Sequence, residues 1–460
     1  MLFMRFVGLI IIFLAFPVFV SLLKSYPQKR TYAYFAVGIM PFVMGWLNLD
    51  AALINYAGWP GHTKGMIVTI LDSLALAIVV TSIGPFKKLP LFGVLLGYLC
   101  AAMISVAFSN HPVTSTFYVF QFARVILLFV AVATIMRDPR AIHWLAYGLA
   151  AGAIFQGVVT IEQRLTGSLQ AAGTMGHQNL LGFMLHFVTL PLMALLLAGK
   201  MHSLNILGVL FALIAVALGA SRGTVAFAAV GLVVLFALSL ARQVTGHKMK
   251  MLGLGVLVFV IVAPLAFSTL ERRFGDSPVA TSLDGERQAF ERAAKSMWAD
   301  HPMGVGANQY VLVANAQGYS QRAGVVWNFG SRSAHVHNMY LLAAAETGWL
   351  GLIALSILFG WVILRGIAFA FANRRDARAD VVLGASVAVF AASLHSFYEW
   401  IFVTYQVQYL FAIALGMIAG IIRQTNAEKV NRRRASAQRG NHAAFDKGIS
   451  EQLPQALNHR

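Results

Sequence analysis

Cysteine is nearly absent: Cys100 stands alone in 460 residues and lies inside an apolar run. One thiol per chain excludes an internal disulfide framework and a thiolate metal cage. Charge is scarce too. Only 11% of residues are Asp, Glu, Lys or Arg while 58% are hydrophobic, which excludes an ordinary globular domain. Acid is the scarcer sign, with 17 Asp and Glu against 35 Lys and Arg, for a net charge of +18. The apolar runs lack the alternation of a membrane barrel strand, so a closed β-barrel is excluded as well. No nucleotide-binding Gly-Lys loop occurs, which leaves any bond-making chemistry to be driven by the substrate itself.

What the chain has is apolar length. Thirteen runs, near 2–23, 32–49, 66–84, 90–108, 115–136, 142–161, 178–199, 203–220, 224–241, 251–270, 349–371, 380–399 and 402–422, approach the ~20 residues a helix needs to cross hydrocarbon. The expected fold is an all-α polytopic membrane protein with about 12 (12–13) transmembrane helices, 32–49 and 66–84 being the weakest. Residues 1–23 lack a small-residue cleavage motif and read as a retained span. Assigning Lys and Arg to alternate sides puts 23 on one face, Lys87, Lys88 and the tail among them, and 10 on the other, Arg272 and Arg273 among them. The basic-rich face is therefore expected to be cytoplasmic. The domain expectation is an N-terminal bundle over 1–270, one large external loop over 271–347, C-terminal spans over 348–423 and a basic, unstructured tail over 424–460. The tail reads as a topology anchor or anionic-lipid contact rather than a nucleic-acid arm. No internal repeat of the transporter kind is visible.

The external loop carries the unusual chemistry. DGERQAFERAAKSMWADHP places Ala289, Phe290, Ala293, Ala294, Met297 and Trp298 on one side of a helix, with Arg287, Glu291, Arg292 and Lys295 interleaved. That spacing predicts an amphipathic helix at the membrane surface, capped by Asp284 and ended by His301 and Pro302. GVGANQY beyond it reads as a turn, too generic for a phosphate loop. HVHNMYLLAAAETGWLG follows at 335–351. His337 to Ala372 is longer than one crossing requires, which predicts a short helix over 337–346, a break at Glu346-Thr347-Gly348 and a span from Trp349. His337 then faces the external loop, as a proton acceptor or as a polar interfacial anchor. A metal reading of His335-x-His337 fails, since residues two apart share no helix face and no third ligand is near.

Further polar residues gather at the same face: Arg164 in EQRLTG, His177 and Asn179 in GTMGHQNLLG, Arg222 in GASRGTV, and Tyr398 and Glu399 in HSFYEW. Each can be an anchor or a simple ion pair. Together they set arginines where topology does not ask for them, and Arg164, Arg222 and Arg287 could receive a phosphate or diphosphate. Arg124 sits mid-span and must be paired or face water.

These residues resemble a known family. His337-Asn338, nine residues, then Gly348-Trp349-Leu350-Gly351 is similar to the signature of bacterial O-antigen ligases. Arg287, fifteen residues before Pro302, resembles the loop arginine of the wider superfamily of ligases, O-antigen polymerases and protein O-oligosaccharyltransferases. GTMGHQNLLG resembles its G-T-x-G-x-x-N-x-L stretch. Glu291 departs from it, standing where an aromatic is usual. The resemblance covers about 170–430 and implies a bacterial inner-membrane, multi-pass enzyme whose active site faces the periplasm. It implies an undecaprenyl-diphosphate-linked polysaccharide donor and a lipid A core acceptor, with surrounding membrane lipids as the other contact and no nucleic acid. His337 would be the catalytic base, Arg222, Arg287 and Arg164 would bind the diphosphate, and His177, Asn338, Glu399 and Tyr398 would support them. No cofactor and no metal are expected, because guanidinium groups supply the cation; Asp284-x-Glu286 is better read as a helix start. A polymerase or protein O-oligosaccharyltransferase with the same donor stays open, and so, more distantly, does a lipid-linked glycan transporter.

Overall fold

The structure is a computed structural model that describes residues 2–82, 89–274 and 279–457. Lys87 and Lys88 lie outside the described residues, as do the side chains of Arg272, Arg273, Asp284 and most of the tail. The N-terminal half runs α1 (Leu2–Ser25), α2 (Arg30–Val43), a hairpin of β1 (Asp50–Asn55) and β2 (Gly65–Thr69), α3 (Ile70–Thr81), α4 (Phe92–Val106), α5 (Pro112–Ile135) and α6 (Ala141–Leu165). The rest runs α7 (Gln178–Leu197), α8 (Ser203–Leu218), α9 (Arg222–Arg242), α10 (Gly246–Phe274), α11 (Val279–Asp300), three short helices α12 (Tyr310–Ala316), α13 (Tyr319–Arg322) and α14 (Phe329–Arg332), then α15 (Met339–Ala372), α16 (Arg378–His395) and α17 (Tyr405–Leu457).

Among the described residues eight helices are long and apolar enough to cross a membrane, and α3, α4 and α8 are shorter apolar helices. The chain is therefore a mostly helical, multi-pass membrane protein, with fewer full-length spans than the thirteen apolar runs promise. The run at 66–84 explains part of the difference. Gly65–Thr69, at the start of this run, form β2 and pair antiparallel with β1, a two-stranded hairpin set into an otherwise all-α polytopic fold among the described residues. β-branched MIVT suits a strand, and a short apolar run cannot tell strand from buried helix by periodicity. Thr69 then caps α3 in a reciprocal box with Asp72. The tail also departs from expectation: α17 continues through the basic segment to Leu457. Its Ala, Arg, Lys and Gln residues are good helix formers.

The core is centred on α7, α16 and α17. The hydrophobic window of α7 is 94% buried and that of α17 89%, whereas α1 is only 11% buried and lies at the periphery. Mid-span Arg124 is paired: Nε donates to Asp72 Oδ2 at 2.8 Å, and the guanidinium also reaches the Tyr409 hydroxyl. Tyr409 donates in turn to Asp72 Oδ1 at 2.6 Å. Each charge is therefore held by a partner from a different helix, the condition under which an ion pair survives burial.

Candidate active site

Four chain segments meet at one end of this bundle because their backbone ends are tied together. The turn after α16 closes with Tyr398 and Glu399 N–H groups donating to the His395 carbonyl. Met339 N–H donates to the Ser396 carbonyl at 2.8 Å, which docks the start of α15 on the end of α16. Asn338 caps α15, its side-chain oxygen accepting from Tyr340 and Leu341 N–H at 3.0 Å each. The expected supporting role of Asn338 is thus first of all a helix cap, and α15 starts two residues after His337 rather than at it. His177 caps α7, Nδ1 accepting from Asn179 N–H at 3.2 Å. Upstream, Gln163 and Gln156 hold the Ala172, Gly173 and Thr174 N–H groups, fixing the GTMGHQN stretch in place.

Glu399 is the centre of the constellation. Its carboxylate is 3% exposed. Oε2 lies 3.2 Å from His337 Nδ1, and Oε1 lies 3.6 Å from the Arg287 guanidinium. Asn179 Nδ2 donates to Oε1 at 2.5 Å. A buried carboxylate with three such partners is satisfied and fixed. The two groups that face outward from it are the half-exposed ones, His337 at 27% and Arg287 at 41% side-chain exposure. With Nδ1 turned to the carboxylate, Nε2 is the ring nitrogen not engaged by Glu399.

The remaining expected residues stand at different distances from this centre. Arg222 opens α9, exposed, with Ser221 as the cap. The first turn of α9 packs on the end of α16: a Cβ at Gly223 would lie 3.3 Å from His395 Nε2, and the Phe227 ring contacts His395 and Tyr398. Arg222 therefore stands at the end of the bundle that holds Glu399. Tyr398 is 55% exposed beside it. Arg164 is held in its own turn, donating to the Ser168 carbonyl at 3.2 Å. Among the described residues no hydrogen bond or ion pair joins it to His337, Arg287 or Glu399. Sequence reasoning gave no role to His395, which is buried and in contact with His186 at 3.1 Å between ring nitrogens. The available signal was its spacing of four before Glu399, one helical turn.

Helix α11 differs from expectation in what it covers. It begins at Val279, five residues before Asp284, which is therefore inside the helix rather than its cap. Ala289, Phe290, Ala293, Ala294 and Met297 are all buried. They pack on protein rather than on a lipid surface: α11 contacts α15, Trp298 meets Trp349 at 4.3 Å between centroids, and Phe290 approaches the His337 ring. This packing carries Arg287 to Glu399.

Glu346 belongs to a second, structural cluster. Oε2 accepts from Asn308 N–H at 2.8 Å and Oε1 from Tyr310 N–H at 2.9 Å, and His62 Nε2 lies 3.4 Å away. GVGANQY is therefore a turn clamped on this carboxylate. The predicted break is present, Gly348 having φ +64° and ψ −161° inside α15. Its backbone meets the turn so closely that a Cβ would sit 2.4 Å from the Met303 carbonyl carbon, while one at Gly304 would sit 2.3 Å from the Glu346 oxygen. The signature glycines are thus contact points between loop and span. His335 is buried in the same cluster, stacked on Trp400 at 4.3 Å. Burial holds its imidazole well below the ordinary 6.5, and His62 and His337 add in the same direction.

Among the described residues no three His, Cys, Asp or Glu side chains converge in a metal-holding geometry. A comparison with curated proteins found no match. Residues 207–356, which contain Arg222, Arg287, His337 and Glu346, match the family described as O-antigen ligase. That segment, about a third of the chain, is thus similar to the O-antigen ligase family, in a chain built as a multi-pass membrane protein.

Proposed function

We propose that the protein is an O-antigen ligase, moving polysaccharide from an undecaprenyl-diphosphate donor to a hydroxyl of the lipid A core at the periplasmic face of the bacterial inner membrane. The observation that carries this is the contact of buried Glu399 with His337 on one oxygen and Arg287 on the other. A carboxylate on Nδ1 orients the ring and stabilises the imidazolium, so Nε2 can take the acceptor hydroxyl proton. The freed oxygen attacks the anomeric carbon as the bond from that carbon to the diphosphate breaks. Its electron pair passes to the phosphate oxygen, where Arg287 and Arg222 stabilise the developing charge. One displacement inverts the anomeric centre, and the proton on His337 passes to water or to the departing diphosphate. Arg164, with its guanidinium turned to its own loop, is the weakest of the three expected diphosphate ligands. The cation is supplied by arginine, so turnover should persist in excess chelator.

A glycan transporter would need mobile ionisable groups near mid-membrane. Arg124 and Asp72 are instead fixed on each other and on Tyr409, which favours the enzyme. The test is reconstitution of purified protein with lipid-diphosphate glycan and one of three acceptors: lipid A core, a second donor glycan, or a pilin-like protein. Wild type should glycosylate lipid A core, and His337→Ala should lower that rate about 10²–10⁴-fold. Transfer to a different acceptor would make the protein a polymerase or protein O-oligosaccharyltransferase; a normal rate in His337→Ala would remove the general base.

A further inference from the structure

The loop ends in a surface that the transfer chemistry does not use. Val326, Trp327 and Phe329 are 55%, 81% and 90% exposed. Two large rings standing almost wholly outside a folded segment are an unusual exposure, of the kind that marks a binding surface. The Trp327 ring is nevertheless held. Arg332 lies over Trp327 at 4.4 Å and donates to the Val325 carbonyl at 3.1 Å. Asn315 Nδ2 bonds the Arg332 carbonyl at 2.7 Å, and Asn328 caps the turn by accepting from Ser331 N–H at 2.8 Å. Within the loop segment 301–345 the Asp, Glu, Lys and Arg residues are Arg322 and Arg332 alone. From Arg332, which lies over Trp327, to His337 is five residues, so the Arg332 backbone lies within roughly 18 Å of that of the proposed base.

We propose that Trp327 and Phe329, with Arg332 against Trp327, bind the anionic, phosphate-bearing oligosaccharide of the acceptor glycolipid and hold its hydroxyl-bearing end toward His337. Pyranose rings present apolar C–H faces that stack on flat aromatic surfaces, and guanidinium groups recognise phosphate. A membrane wedge would be continuous in apolar residues. Here Asn328 separates the two rings, and Gly330, Ser331, Arg332 and Ser333 follow Phe329 without an apolar side chain. This assignment rests on the transfer reading, but binding can be measured without turnover.

The experiment uses the full chain in nanodiscs and measures binding of three probes: lipid A carrying its phosphorylated core, the same molecule with the core dephosphorylated, and core-free lipid A. Trp327→Ala/Phe329→Ala should weaken binding of the phosphorylated probe about tenfold or more, and raise the acceptor KM by a similar factor with donor KM and kcat unchanged. Dephosphorylation should weaken binding to wild type, and the ring-keeping variant Trp327→Phe/Phe329→Tyr should bind like wild type at an unchanged melting temperature. Equal binding by wild type and the double alanine variant overturns the platform. So does an equal loss for core-free lipid A, which would assign the rings to lipid, or a variant that differs only in losing self-association. A wild type that binds the probe through these rings yet transfers nothing overturns the transfer reading and leaves the platform standing.

Discussion

Glu399 decides what His337 can do, because a ring with Nδ1 held on a carboxylate has one tautomer and one orientation. Glu399→Gln removes the charge while keeping the size. A side chain that can now donate as well as accept sets His337 in the wrong tautomer, and single-turnover transfer should fall by about 10²-fold or more, with lipid-linked donor still bound. An unchanged rate would show that the contact only anchors the loop. His335 makes a separate prediction. Its imidazole is depressed in the folded protein, so the unfolded chain binds the proton more readily. Stability from this group is complete above pH 6.5 and declines as pH falls below it. His335→Phe keeps a ring against Trp400 and should flatten the melting-temperature profile between about pH 6.5 and 5; a profile as steep as wild type would assign the dependence elsewhere. These two histidines, two positions apart, were readable as a pair but not as opposites. Only packing reveals that one faces Glu399 and the other is enclosed by Trp400, Tyr310 and His62. For the same reason Asn179 was visible as a neighbour of His177 and not as a ligand of a carboxylate 220 positions away.

At the scale of elements, the kink in α15 was legible because length alone demanded it, and glycine marked where it had to fall. What length could not show was the partner. Gly348 adopts a backbone conformation that essentially only glycine tolerates, which adds about 1–3 kcal/mol of strain for any other residue, and its Cα faces the Met303 backbone. Gly348→Ala should therefore lower stability by at least that amount and separate the turn from the span. Activity would fall with it, because the turn and α11 share the loop that carries Arg287. Glu346→Ala acts at the same joint without touching the backbone. It leaves Asn308 and Tyr310 N–H groups buried and unpaired, at a cost of about 1–3 kcal/mol each, and denaturant unfolding would register it as a shifted midpoint with little change in slope. A variant as stable as wild type would show that water replaces the carboxylate there. The hairpin at 50–69 was the element least open to reading. Its strand is part of an apolar run long enough to pass for a span, and its contribution, placing His62 beside Glu346, is a contact across 284 positions.

Over the whole molecule, the two ends of the bundle differ in how they treat charge. At the end away from Glu399, Asp380 receives Arg242 and Lys248, and Arg378 bridges Asp376 and Glu428, so cations there are matched by local acids. At the other end buried Glu399 faces Arg287, with Arg222 at the same end, while buried Glu346 holds backbone N–H groups and His62. The positive-inside count is the ground for expecting the first end in the cytoplasm, and it needs only alternation, whereas the number of full-length spans depends on helix ends that hydropathy does not locate. The assignment predicts labelling. In a Cys100→Ala background, cysteine at exposed Phe329 should react with a membrane-impermeant maleimide added from the periplasmic side, and cysteine at exposed Arg374 should react only after the membrane is opened. Arg222→Cys is the deciding position, since its guanidinium has a role in transfer only if it meets the same diphosphate as Arg287. Reaction of residues 222 and 329 from one side supports a single centre at the outer leaflet, while reaction from opposite sides would leave His337 with no second arginine and end the displacement mechanism.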